Sequence, residues 1–498
     1  MTNNTQLPNE KKTWLDLIEE ATKIKSTVAN EEKKLATQFI IKKCGITVDF
    51  SRQNINSKIL KKLIFLAEDS QLKQKMLEFY STKNKATFSH TVLRAGKKSP
   101  ILENQIKGEV EYELEKFLFF ADQLRSSKIL GWRNNPIKNV VVLGLGGSVL
   151  GPKFATEALK SNDNSKMINL FFVSNPDCCY FNEILQKLKP SETLFLIQSK
   201  SFKTPEILIL KNYARRWMLT QGCSNSDLKK HFSVVTANLA KSRSEGYLEN
   251  YTFRIWDWIR GRFSVWSSMG LPLAISIGTK KFREFLNGAK EMDDHFLNTD
   301  FSLNLPILSA LISLWNRSFL NIPSYVVATY SSKLDQLVTY LQQLDMESLG
   351  KNVHTNGELC QFKTGQIVWG GPGIEGQHAY FQLLHQGKEI IPIDFYGLKE
   401  SSCVDKSNDL YSAFMLSSLK AQADALFFGD KKNNFFGNRP STIFCLDEIT
   451  PQTLGSLLSM QEHKIFVLAC IWNINPFDQP GVELGKKLLL KRFEGKIE

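Results

Sequence analysis

Residues able to move protons cluster in three separated segments. Gly365 to Gly387 carries a Gly-Pro-Gly turn, Gly371 to Gly373, before Gln377 and His378, and this pattern predicts a helix that opens with those two residues. A histidine at a helix N-terminus feels the positive end of the dipole, which lowers its pKa and keeps a neutral imidazole able to exchange protons near pH 7. Leu341 to Lys351 (LQQLDMESLGK) follows an apolar stripe of Leu334, Leu337, Val338, Leu341 and Leu344, and supplies Gln343, Asp345 and Glu347. Pro476 to Lys486 (PFDQPGVELGK) adds Gln479 and Lys486. A carboxylate, an imidazole and an amine make a set suited to general acid–base catalysis. Singly, each has a plainer explanation: a solvated charge for Glu347 or Lys486, a helix cap for His378, a structural hydrogen bond for His385. Their joint occurrence favours the chemical one.

A second set suits an anion. In Gly144 to Pro152 (GLGGSVLGP), glycines that include Gly147 let the backbone approach a phosphate, with Ser148 beside them and Pro152 fit for a helix's first turn. The spacing excludes both a dinucleotide fingerprint, which would need glycine at Val149, and a nucleotide P-loop, which would need lysine at Pro152. Ser199 to Glu206 (SKSFKTPE) brings the hydroxyls of Ser199, Ser201 and Thr204 with Lys200 and Glu206. Those hydroxyls suit an anionic oxygen cluster, and Ser201 and Thr204 suit an N-cap equally well. In Trp256 to Gly270, Gly261 and Arg262 sit among aromatic residues, where an arginine needs an anionic partner.

Strands must present these turns. Val140 to Leu145, Asn169 to Asn175, Thr193 to Ser199 and Phe232 to Asn238 are apolar runs of strand length alternating with helical stretches, the pattern of buried parallel strands. A second series runs through Ser324 to Tyr330, Gln366 to Gly371 and Glu389 to Phe395. The expected organisation is α/β, with a helical N-terminal region over 1–110, a first α/β domain over 111–280 and a second over 281–498. Trp14, Leu15, Ile18, Ala21 and Ile24, then Ile59, Leu60, Leu63, Ile64 and Leu66, recur at helical spacing within the first region. In open α/β sheets ligands bind beyond the carboxyl ends of the strands, which is where the anion turns fall.

The chain has 498 residues, 42% hydrophobic and 23% charged, ordinary for a soluble globular protein of two or three domains. A polar start and the interrupted apolar run at Leu305 to Trp315 argue against a signal peptide and a membrane span, so a cytoplasmic location is expected. Eight cysteines, Cys403 and the adjacent Cys178 and Cys179 among them, show no zinc spacing, so free thiols and no metal are expected, with the adjacent pair as small strand-end residues. Of the net charge of +13, an excess of 8 lies in residues 1–110, where 20 Lys and Arg face 12 Asp and Glu. The lysines pair beside acids, as at Lys11-Lys12, Lys33-Lys34, Lys42-Lys43 and Lys61-Lys62, without interleaved aromatics. That is the pattern of solvated helix faces, not of a nucleic-acid stripe.

From Ser89 to Gly96 (SHTVLRAG) through Lys486 the sequence resembles the glucose-6-phosphate isomerase family, most specifically in GPGIEGQHAYFQLLHQG and FDQPGVELGK. The resemblance implies two sugar-isomerase (SIS-type) parallel-sheet domains flanked by helices. It implies interconversion of glucose 6-phosphate and fructose 6-phosphate through ring opening and a cis-enediol, in glycolysis and gluconeogenesis, with no cofactor. By similarity Glu347 is the base, His378 and Lys486 open the ring, and Arg262 steadies the intermediate. Ser148, Ser199, Lys200, Ser201 and Thr204 hold the phosphate beside Gly147 and Gly261, with Gln343, Gln479 and Glu206 in support. A homodimer with shared active sites, the histidine coming from the neighbouring subunit, is also implied. The sequence departs from the common family pattern at Ser201, at Lys203-Thr204-Pro205, at Cys178-Cys179, at Gly371 and at Ile374-Glu375, none of them a proton-transfer group. Asp345, two residues from Glu347, is expected to matter much less than Glu347. Two alternatives share the fold: an isomerase acting on mannose 6-phosphate or on both epimers, and a catalytically silent sugar-phosphate sensor. Retention of Glu347, His378, Arg262 and Lys486 together disfavours the sensor.

Overall fold

The computed structural model describes residues 6–27, 39–80, 89–96, 104–160, 168–399 and 409–493; Lys33-Lys34 and Cys403 lie outside them. The strands, in chain order, are β1 Ile40–Lys43, β2 Ile46–Arg52, β3 Asn139–Gly144, β4 Asn169–Val173, β5 Thr193–Gln198, β6 Phe232–Thr236, β7 Thr252–Arg254, β8 Ser324–Thr329, β9 Ile367–Pro372, β10 Ile393–Leu398 and β11 Ser441–Leu446. The chain divides into two compact units, one of residues 1–79 and 287–478, the other of 80–286 and 479–498.

The second unit holds a five-stranded, wholly parallel sheet in the order β4-β3-β5-β6-β7. Val140 to Leu143 and Leu194 to Ile197 are completely buried, which is why these strands read as unbroken apolar runs: helices cover both faces. One face packs Val141, Leu143, Phe195 and Ile197 against Phe181, Leu210 and Ala214 from two of the crossover helices. The chain leaves β3 for β4 on one side and returns to β5 on the other. The crevice beyond the ends of β3 and β5 is therefore a switch point, the position at which such sheets bind ligands.

The first unit holds a six-stranded sheet in the order β1-β2-β11-β10-β8-β9. The four strands β8 to β11 are parallel to one another, and β2 adds antiparallel to β11 with β1 antiparallel beyond it. The N-terminal region, expected to be helical, thus also gives two strands. Helices Lys12–Thr27, Ser57–Asp69 and Leu72–Tyr80 flank them. Within Lys12–Thr27 the stripe is also rotated from the expected one: Trp14, Leu17 and Ala21 are buried whereas Leu15 and Ile18 face solvent. The two strands are joined by Cys44 and Gly45, both at positive φ, in the two-residue turn that matches the twist of a hairpin. Ile46, Val48 and Phe50 then alternate inward at period two. A long helix, Pro451–Trp472, is opened by Thr450, whose hydroxyl accepts from the Thr453 amide, and by Pro451 in its first turn. Nearly all of it is buried, including the polar run Gln461, Glu462, His463 and Lys464.

Candidate active site

At the end of β3, the turn Gly146–Ser148 leads into the helix Leu150–Leu159. A methyl group on Gly147 would lie 2.2 Å from the Gly261 carbonyl carbon and 2.4 Å from the Arg262 amide nitrogen, so only glycine lets these two segments touch. The Ser264 hydroxyl donates to the Gly147 carbonyl at 3.1 Å and secures the contact. At the end of neighbouring β5, the Ser199 hydroxyl accepts from the Phe202 amide (3.2 Å) and the Ser201 hydroxyl from the Lys203 amide (3.3 Å). Each hydroxyl therefore keeps its own O–H to donate. Phe202 sits at φ +54°, a left-handed conformation that a non-glycine residue adopts at a cost, here in the middle of the turn. Thr204 occupies the N-cap position of the helix Pro205–Thr220 without using its side chain as a cap, and Glu206 lies in the first turn. Two helix starts with the Ser199, Ser201 and Thr204 hydroxyls at adjacent strand ends are groups suited to an anion.

Lys200 also braces this turn. Its ammonium donates to the carbonyls of Asp257 (2.6 Å) and Ile259 (3.1 Å), tying β5 to the loop that carries Arg262. Burial, then the nearby Arg260, push its pKa down. Two of its three donors are used, so at most one faces an anion. Arg262 is 4% exposed, as its aromatic setting suggests, with its guanidinium 5.5 Å from the Phe263 ring and donating to Gln479 Oε1 at 3.4 Å. Arg262 and Gln479, 217 residues apart in sequence, are thus brought together. Lys486 lies on the exposed helix Glu483–Phe493, paired with Glu483 at 2.8 Å. Sequence reasoning missed Ser264 and the Asp257 and Ile259 carbonyls. It also assigned no role to Arg94, a buried cation whose guanidinium lies 4.5 Å from the Trp266 ring.

The first unit carries the remaining groups. Gln343 and Glu347 stand four residues apart on the helix Leu337–Leu349 and so share one face, both partly buried. Asp345 turns the other way. It is 4% exposed, accepts from the Tyr325 hydroxyl at 2.5 Å and lies 3.6 Å from the Lys464 ammonium. An Asp345 substitution is therefore no neutral control for Glu347. His378 corrects the helix expectation: the helix is Gly373–Gln377, it begins directly after Pro372 ends β9, and His378 is its exposed C-cap. The N-terminal dipole argument does not apply to it. Gly373 starts the helix against Tyr330, whose ring a Cβ would meet at 2.1 Å, and Gln377 donates to the Tyr330 hydroxyl at 2.7 Å.

Among the described residues, one group of His, Cys, Asp and Glu has ligand atoms close enough to share a metal ion, the exposed Asp177, Cys178 and Cys179. One oxygen of Asp177 is occupied in accepting from the Cys179 amide at 2.9 Å. These cysteines open the helix Cys178–Leu185 and do not end the strand as expected.

Parallel-stranded α/β sheets, one of them with glycine and hydroxyl turns at its switch point, are the architecture of a protein that binds phosphorylated small molecules. The chain belongs to the phosphoglucose isomerase family, whose description, "Phosphoglucose isomerase", matches over residues 49–495. It is 40% identical over 473 residues to the glucose-6-phosphate isomerase of Shewanella halifaxensis, covering 89% of this chain and 86% of that protein. Identity to glucose-6-phosphate isomerase 1 of Chromohalobacter salexigens is 39% over 458 residues, with 89% and 83% covered. The crystal structure of a glucose-6-phosphate isomerase from Chlamydia trachomatis superposes with a TM-score of 0.84 at 29% identity, covering 98% of this chain and 96% of that one. A hypothetical protein from Thermus thermophilus shares the fold, at a TM-score of 0.71 and 23% identity, over 90% of this chain and 100% of that one. No helix among the described residues is long and apolar enough to cross a membrane.

Proposed function

We propose that this chain interconverts glucose 6-phosphate and fructose 6-phosphate, the reaction named by its relatives, in glycolysis and gluconeogenesis. The observation that carries the reading is the close contact of Gly147 with Gly261, which sets a buried arginine beside the glycine turn of β3. The phosphate is bound by Ser148, Ser199, Ser201 and Thr204 with the amides at the two helix starts, and Lys200 offers its remaining donor. Glu206 supports the turn.

The cyclic sugar must open before a hydrogen can move between C1 and C2. His378, with Lys486, exchanges protons with the ring oxygen and the C1 hydroxyl. Glu347 then removes the proton from one carbon as a carboxylate and returns it to the other, passing through a cis-enediol. Arg262, fixed by Gln479, stabilises the negative oxygen that develops, and its burial strengthens that attraction by excluding water. Gln343 orients the sugar from the same helix face as Glu347. The reading needs no cofactor. His378 acts from the neighbouring subunit of a homodimer, in keeping with its exposure, and the enzyme works in the cytoplasm.

The test supplies fructose 6-phosphate and measures glucose 6-phosphate by a coupled dehydrogenase, with mannose 6-phosphate as the second arm. Turnover of the glucose epimer well above the mannose epimer is expected. Equal turnover assigns the chain to a two-epimer enzyme, and no turnover with retained binding assigns it to a sensor.

A further inference from the structure

We propose that Lys464, acting through Asp345, is a positioning residue that fixes the rotation of the helix carrying Gln343 and Glu347. The inference rests on the catalytic reading of Glu347 given above. Asp345 lies midway between those two residues along the Leu337–Leu349 helix and points away from their face into the unit's interior. There it meets two groups from different elements. Tyr325 of β8 donates its hydroxyl at 2.5 Å, and Lys464 of the Pro451–Trp472 helix, 2% exposed, brings its ammonium to 3.6 Å. The same ammonium lies 4.9 Å from the Tyr325 ring, so the three side chains close a triangle. Leu337, Leu341 and Leu344 supply the apolar packing of the helix, but apolar contacts are non-directional and tolerate sliding. A buried charge pair is poor evidence of stability, because well-packed apolar residues often do as well. Its better-attested use is to select one geometry.

Tyr325 and Lys464 border a small cavity that Asp394 of β10 also lines. Burial pushes the Asp394 carboxyl up to about 6; Lys464 opposes that rise and Asp345 adds to it. Lys464 therefore faces two carboxylates, and Asp345 is the one on the catalytic helix.

The test compares Lys464→Met, Asp345→Asn and the double variant, on the full chain, in fructose 6-phosphate turnover. Removing both charges leaves similar volumes, and Asp394, which then lacks the ammonium, can take up a proton and stay neutral, so the double variant is expected to fold with a circular dichroism spectrum like the parent's. Misplacing a reactive group by about 1 Å can cost on the order of 10²-fold. A fall in kcat of roughly 10- to 100-fold is expected, with KM within about twofold, and the two single losses should not multiply in the double variant. A folded double variant with parental kcat, or a loss confined to KM, overturns the proposal. If the double variant fails to fold, Tyr325→Phe, which removes only the hydroxyl bond, decides on the same kcat and KM criteria. Glu347→Gln is run alongside with exchange of the C2 proton into solvent. Normal exchange there overturns the base assignment, whereas parental kcat in the double variant overturns the positioning role alone.

Discussion

The two sheets use the same parallel α/β logic for different chemistry. In the five-stranded sheet, the polar groups at the strand ends are hydroxyls, amides and a buried arginine, held in tight backbone turns. In the six-stranded sheet, the corresponding resource is a helix face bearing Glu347 and Gln343, braced from behind by buried charges. The first arrangement suits a static anion. The second suits a proton in transit, whose carrier must be placed by side-chain contacts, because a helix offers no tight turn to grip it.

The sharpest way to break this contrast is Glu347→Gln, which keeps shape but cannot take the C2 proton. Turnover should fall on the order of 10²–10⁴-fold with sugar-phosphate binding retained; weak binding with brisk turnover of what binds would move Glu347 to the anion side. Next, Arg262→Ala should lower kcat by roughly 10²–10³-fold, as removal of a stabilising donor does. A steady-state assay that finds only a raised KM would make Arg262 a ground-state phosphate binder. Gly147→Ala forces a Cβ into the Gly261 backbone, and urea denaturation should register a loss of about 1–3 kcal/mol with a raised KM.

The smallest effect concerns Asp394. Burial pushes its carboxyl up to about 6 from the ordinary 3.8, so between those two pH values the folded state holds a proton that the unfolded state has released. That contribution to stability is complete below 3.8 and is lost as pH rises through about 6. Asp394→Asn cannot titrate, so its urea midpoint relative to the parent should improve between pH 5 and pH 7.5. A constant difference would show that Asp394 does not carry the slope.

The strands of the five-stranded sheet were largely legible because burial on both faces leaves an apolar run bounded by turn residues, as in Val140 to Leu145 and Thr193 to Ser199. The β1–β2 hairpin is not evident from the sequence although Cys44-Gly45 sits between two strand-like runs, because helical spacing dominates its neighbours. β7 is only three residues long, and β11, fully buried, was passed over as a short apolar run. Among the candidate site residues, Arg262 could be placed in the interior from its aromatic neighbours. Asp345 could not, because a charge looks solvated until its partners, Tyr325 and Lys464, are seen to converge from distant segments. The helix starts earlier than the sequence pattern predicts because Pro372 both ends the strand and opens the helix, leaving His378 at the far end.

The pairing of β2 with β11 has a consequence for biosynthesis. Arg52 and Ser441 are partners although about 390 residues separate them, and at roughly 5–20 residues per second the ribosome needs about 20–80 s to deliver the second strand after the first. Throughout that interval the nascent hairpin has no β11 to cover its edge, while Ile46, Val48 and Phe50 lack the core that later buries them. The five-stranded sheet, all of whose strands lie between these two in the chain, can form during the wait. Until its distant mate emerges, one short apolar ribbon stays open to pairing with other chains.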